Sequence, residues 1–115
     1  MENSPKAKLL RIFIGESDKL GSVPLYEALV YQAKKLGLSG ATVTKGIMGF
    51  GANSKISTAK LFTISEDLPL VVEIVDVEDK IRPFVKIVEQ MFEDAKSGGL
   101  ITLEKAEIIR YRSVK

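Results

Sequence analysis

Residues 68–95 read LPLVVEIVDVEDKIRPFVKIVEQMFEDA, and the change of period inside this stretch decides the fold. Leu68 to Asp76 is almost continuously apolar and β-branched, the pattern of a buried strand. Pro69 stands at its start, where a missing N–H does least harm. From there Ile81, Phe84, Val85, Val88, Met91, Phe92 and Ala95 recur at helical spacing, which predicts an amphipathic helix. Pro83 suits that helix if it begins near Asp79 as N-cap, leaving the proline in the first turn or so. Ser97-Gly98-Gly99 ends the helix, and Ile101 to Tyr111 alternates as a last strand.

Working towards the N-terminus, the same strand–helix order appears a second time. Lys8 to Gly15 (KLLRIFIG) puts Leu10, Ile12 and Ile14 on one face and Leu9, Arg11 and Phe13 on the other, as a largely buried strand does. A polar turn over Glu16–Lys19 follows. Pro24 then opens a helix whose stripe is Leu25, Leu29, Ala33 and Leu36 and whose end is Gly37. Ala41 to Lys45 is a short β-branched strand running into GIMGFGANSKISTA at 46–59, and Lys60 to Ile64 alternates weakly. The order is β-α-β-loop-β-α-β. It predicts an α+β, ferredoxin-like sandwich: an antiparallel sheet with two helices on one face and a long glycine-rich loop between its second and third strands. Residues 8–112 form the single domain, with 1–7 and 113–115 as tails.

Composition narrows the function. The chain has 115 residues, a formal net charge of +2, and neither cysteine nor histidine. Disulfides, thiolate chemistry, zinc sites of the usual ligand types and histidine acid–base catalysis are therefore excluded. The charge is too small for bulk attraction to DNA or a membrane surface. No signal region or membrane-length apolar run is present, which points to the cytoplasm. Glu66, Asp67, Asp76, Glu78 and Asp79 lie at element boundaries, where capping accounts for them, so no catalytic or metal residue and no enzyme are expected.

The 46–59 loop is the candidate site. Gly46, Gly49 and Gly51 can bring backbone N–H groups close to an anion, with Lys45, Lys55 and Lys60 nearby in sequence. A flexible surface hairpin is the alternative. The βαββαβ order also suits an RNA-recognition module: Ile12-Phe13-Ile14-Gly15 resembles its shorter motif and Met48-Gly49-Phe50-Gly51 the start of its longer one. Against RNA, the aromatics required after Gly51 are replaced by Ala52, Asn53, Ser54 and Lys55.

GLSGATVTKGIMGFG at 37–51, RIFIGESD at 11–18 and EDLP at 66–69 resemble an uncharacterised prokaryotic family related to PII signal-transduction proteins. The resemblance covers Lys8 to Tyr111. It implies a trimer of ferredoxin-like subunits, with an adenine nucleotide (ATP, ADP or AMP, with Mg2+ admissible on its phosphates) in clefts between neighbours. It also implies a target protein, such as a transporter or an enzyme, engaged through the long loop.

Carried over by position, the nucleotide would meet the loop base Gly46, Ile47, Met48, Gly49, Phe50 and Gly51. It would also meet a phosphate loop at Ser97, Gly98 and Gly99, and Arg110 and Arg112 reaching across from a neighbouring subunit. Gly99 stands where PII proteins carry a lysine. Ala52, Asn53, Ser54, Lys55, Ile56 and Ser57 would face the target. Without nucleotide, the alternative is an oligomeric adaptor. Phe50 is open to ligand contact, sheet capping or subunit packing, and Glu73, alone in an apolar strand, is expected in an ion pair between subunits.

Overall fold

Alternation along β1 (Ala7–Gly15) sends Leu10, Ile12 and Ile14 into the core and turns Leu9, Arg11 and Phe13 to the opposite face. The computed structural model describes residues 6–51, 57–58 and 67–112. The strand expected over 60–64 and the target-facing residues Ala52 to Ile56 lie outside the described residues. After β1 the chain makes a small hairpin of β2 (Lys19–Leu20) and β3 (Val23–Pro24), turning at Gly21 with φ of 64°. Its strands are too short to leave a periodic signal, so the sequence shows only a polar turn there.

Helix α1 (Leu25–Lys35) starts behind Pro24 and buries Leu25, Leu29 and Ala33. Leu36, expected on the same stripe, lies past the last helical turn and is exposed. The helix closes in a Schellman motif, with Gly37 N donating to Lys34 O (3.1 Å), Leu38 N to Ala33 O (3.0 Å), and Gly37 left-handed at φ 80°. Next come β4 (Thr42–Lys45), β5 (Met48–Gly49), β6 (Ser57–Thr58) and β7 (Pro69–Val77). Then follow α2 (Glu78–Ala95) and β8 (Leu100–Ala106).

The main sheet has the order β4-β7-β1-β8, all antiparallel, which is the ferredoxin-like arrangement. Registers Leu10↔Ile74, Ile12↔Val72 and Ile14↔Leu70 stack one apolar face. Both helices cover it, α2 contributing Ile81, Phe84, Val88 and Met91. Phe84 is fully buried at the centre, and truncating such a side chain to alanine typically costs about 3–5 kcal/mol.

Most strand limits shift by one residue from the sequence reading, and two boundary changes bear on the site. α2 begins at Glu78 rather than near Asp79, with Val77 as an N-cap that makes no side-chain bond. Its first N–H is met instead by Lys6 O at 2.8 Å. Pro83 is consequently inside the helix, on its exposed side, where the ring meets solvent. β8 stops at Ala106 because its one neighbour, β1, begins at the paired residue Ala7. Arg110 and Arg112 therefore lie beyond the strand, not along it.

Candidate functional site

The glycine loop leaves the sheet through a tightly stitched neck. Gly46 N donates to Pro69 O at 2.7 Å, so the chain is joined where β4 ends and β7 begins. A Cβ on Gly46 would lie 2.9 Å from Pro69 Cγ, and one on Gly49 3.1 Å from the same atom. Neither glycine has positive φ. They are required by closeness to the proline ring, not by left-handed backbone, while Gly51 has open space around its Cα. Beyond the neck the loop base is not irregular: Met48 pairs with Thr58 and Gly49 with Ser57 in a two-stranded ribbon.

The turn after β1 reinforces this neck. Glu16 N donates to Leu68 O (2.9 Å), Ser17 N to Asp67 Oδ1 (2.9 Å), and Gly15 N to Asp18 Oδ2 (2.8 Å). Lys45, expected to offer charge to a phosphate, is 2.7 Å from Glu16 Oε2, and that hydrogen bond and charge raise the lysine pKa above its ordinary value. Its backbone pairs with Leu70, which places it on the helix-covered side of the sheet. Ile47, Met48 and Phe50 remain exposed at 79%, 61% and 69%. This is apolar surface available to a flat ring or a second chain.

The second glycine loop, 97–99, lies at the same end of the sheet, between α2 and β8. There Gly99 has no room for a side chain. A Cβ would stand 2.6 Å from the Phe13 carbonyl oxygen and 2.7 Å from Phe92 Cε2. The chain joins the two loops directly: Gly46 bonds Pro69, Pro69 is registered with Gly15, and Phe13, two residues earlier, abuts Gly99. They start from the two edge strands of a four-stranded sheet, roughly 14 Å apart at the usual strand spacing.

Arg110 and Arg112 are not brought to these loops. β8 carries the chain about 20 Å away from Gly99 before they occur. At that far end Tyr111 Oη donates to Ser39 O (2.7 Å), and Ser39 N donates to the buried carboxylate of Asp76 (2.8 Å). The 106–111 segment, Leu9, Val75, Lys80 and residues 37–42 enclose a cleft of about 890 Å³. Neither this cleft nor the roles of Pro69, Asp67 and Phe92 is visible in the sequence, since each depends on residues brought together across the fold.

The helix-free face of the sheet carries Leu9, Phe13, Val71 and Val75 around a charged centre. Arg11 reaches Glu73 at 2.7 Å and Glu104 at 2.8 Å. The hydrogen bond that Arg11 donates to Glu73 leads the raising of the Arg11 pKa. Glu73 thus finds a partner within its own chain, across the registered pair Arg11↔Glu73. This face also weakens the RNA reading. The strand beside Phe13 presents Val71, Glu73 and Val75, whereas Phe50 lies beyond the β5–β6 ribbon, outside the main sheet, so among the described residues Phe13 and Phe50 do not share a stacking platform.

Comparison with known proteins agrees with this architecture. Residues 7–108 match the model of the DUF190 family, described as Uncharacterized ACR, COG1993. A UPF0166 protein of Aquifex aeolicus is 44% identical over 104 residues, 90% of this chain and 94% of that one. Among solved structures, CPII from Thiomonas intermedia K12, a nitrogen regulatory PII-like protein bound to ADP, AMP and bicarbonate, superposes with a TM-score of 0.68. It is 17% identical, with 91% of this chain and 90% of that chain covered. The B. subtilis GlnK–ATP complex gives a TM-score of 0.51 at 18% identity, covering 88% and 82%. At those identities the likeness is one of fold.

Proposed function

The chain belongs to the DUF190 family, and from that premise we propose that it is a PII-like, non-enzymatic regulator of the cytoplasm that binds an adenine nucleotide at the two glycine loops. The observation that carries this reading is their placement. Independent segments, 46–51 and 96–99, converge on one end of the sheet, each built around glycines that a Cβ would obstruct at Gly46, Gly49 and Gly99. Exposed Ile47, Met48 and Phe50 offer apolar cover for a base, and the glycines let backbone approach phosphates. The nucleotide-bound PII-like neighbours, CPII with ADP and AMP and GlnK with ATP, support the same ligand class. Mg2+ would come with the phosphates, since that ion needs few protein ligands.

The arginines complete the site from another subunit. Arg110 and Arg112 lie at the opposite end of the sheet from the loops, so one chain alone cannot bring both to a single ligand. A homotrimer with clefts between subunits places the tail of one chain against the loops of the next. Its contact surface would be the helix-free face, where Leu9, Phe13, Val71 and Val75 surround the Arg11 network. The 46–59 loop then engages a target protein, a transporter or an enzyme, and nucleotide at its base shifts the loop between forms of different affinity for that target.

Calorimetric titration of ligand-stripped protein with ATP, ADP, AMP and a short single-stranded RNA, alongside light scattering, tests this reading. Saturable binding of an adenine nucleotide by a trimer supports it. Silence towards all three nucleotides refutes the sensor, and a trimer in that case leaves an oligomeric adaptor.

A further inference from the structure

Both helices end in the same backbone motif with different residues at its demanding position. In α1 the left-handed residue is Gly37. In α2, Lys96 N donates to Glu93 O and Ser97 N to Phe92 O, both at 3.1 Å, the same pair of bonds one helix later. The left-handed residue there is Lys96, at φ 53° and ψ 43°, the sole non-glycine with positive φ among the described residues. A side chain at that position is less favourable than glycine because Cβ crowds the following carbonyl. Two glycines stand just beyond, at 98 and 99, yet lysine holds the strained place.

The surroundings give that lysine a task. The C-terminal end of a helix carries partial negative charge, and the last turn of α2 adds exposed Glu93 and Asp94 with no basic residue of its own. An anion approaching the 97–99 loop is repelled by all three. Gly99 cannot answer with a side chain, because Phe13 O and the Phe92 ring occupy that space. Lys96 is exposed and makes no ion pair among the described residues, and the Gly98 N–H beside it has no acceptor among them.

Resting on the nucleotide reading above, we propose that Lys96 is the cation of the 96–99 loop and binds the phosphate chain of the adenine nucleotide, together with the Gly98 N–H. The left-handed conformation projects an ammonium from the start of a loop whose last position, Gly99, has no room for a side chain.

Replacing Lys96 by glycine separates ligand binding from stability, since glycine suits the backbone better. Lys96→Gly should melt no lower than the unaltered protein and lose about tenfold or more in ATP affinity, the scale of one charged hydrogen bond. The loss should grow from AMP to ADP to ATP and vanish for adenosine. Lys96→Asn, also tolerant of left-handed backbone, should behave alike, and Lys96→Arg should keep the affinity. If the unaltered chain binds nucleotide and Lys96→Gly and Lys96→Asn bind it equally well, the inference is overturned and the parent reading stands. A lower melting temperature with unchanged affinity would reduce Lys96 to a partner of the helix dipole. If the unaltered chain binds no adenine nucleotide, the parent reading fails and this inference with it.

Discussion

Replacing Gly99 by alanine should destabilise the protein although the residue is exposed and its backbone is not left-handed. The added Cβ would sit 2.6 Å from Phe13 O and 2.7 Å from Phe92 Cε2, where ordinary van der Waals contact begins at 3.4 Å. The Phe92 ring can rotate away at the expense of its packing on the core. The carbonyl belongs to central strand β1 and is fixed by the β1–β7 and β1–β8 ladders, so relief on that side must come from β8. Opening its first pair, Phe13↔Leu100, by about 0.8 Å strains the edge strand where it starts. Overpacking of this kind costs about 1–3 kcal/mol. For a domain of this size, each kcal/mol corresponds to roughly 4 °C in melting temperature. Thermal and urea unfolding at matched protein concentration should therefore show a drop of about 4–12 °C and a lower midpoint at unchanged slope. In a Phe92→Ala background the same substitution should cost less but not nothing, because the carbonyl remains. Equal stability of Gly99→Ala and the unaltered protein would refute the steric account of this loop.

Gly46→Ala should weaken the loop neck, because Cβ meets Pro69 Cγ at 2.9 Å beside the Gly46 N to Pro69 O bond. The expected readout is about 1–3 kcal/mol lost in denaturant unfolding, with nucleotide affinity reduced in the surviving fold, and no change in either would count against the neck. Glu78 offers a pH test. Its hydrogen bond from Arg82 and the charges of Lys8 and Lys6 lower its pKa beneath the ordinary 4.5, so its contribution is present above that value and is lost as pH falls through the depressed one. The melting-temperature gap between the unaltered protein and Glu78→Gln should then be open near neutral pH and close in acid; a gap independent of pH would contradict the ion pair.

The fold is legible in the sequence where burial imposes a period. β1 and β7 alternate over nine residues each, and α2 keeps its stripe for eighteen, because each places an apolar face against one core. Where neighbours set the limits, the sequence is silent. β8 ends at Ala106 because β1 begins at Ala7, and nothing in LITLEKAEIIRYR over 100–112 marks that boundary. Glycine clusters identify both candidate loops, but not why they are glycines. Gly46 and Gly49 answer to Pro69, and Gly99 to Phe13 and Phe92, residues separated from them by seven to eighty-six positions. Lys45 and Glu73 have their charges engaged by Glu16 and Arg11, partners far off in sequence.

The closed neck also makes the sequence between its two sides exchangeable. Gly46 is tied to Pro69, Ser17 to Asp67 and Glu16 to Leu68, all by the framework itself, so the ends of the loop are held together whatever lies between them. Doubling the length of a segment whose ends are already joined adds only about 0.6 kcal/mol of closure entropy. Recognition could therefore diverge by insertion, deletion or replacement after Gly51 while the core and the neck stay as they are, so long as a strand in the place of Ser57-Thr58 still pairs with Met48-Gly49. A foreign recognition segment grafted between Gly51 and Ser57 would inherit a base that the framework has already closed.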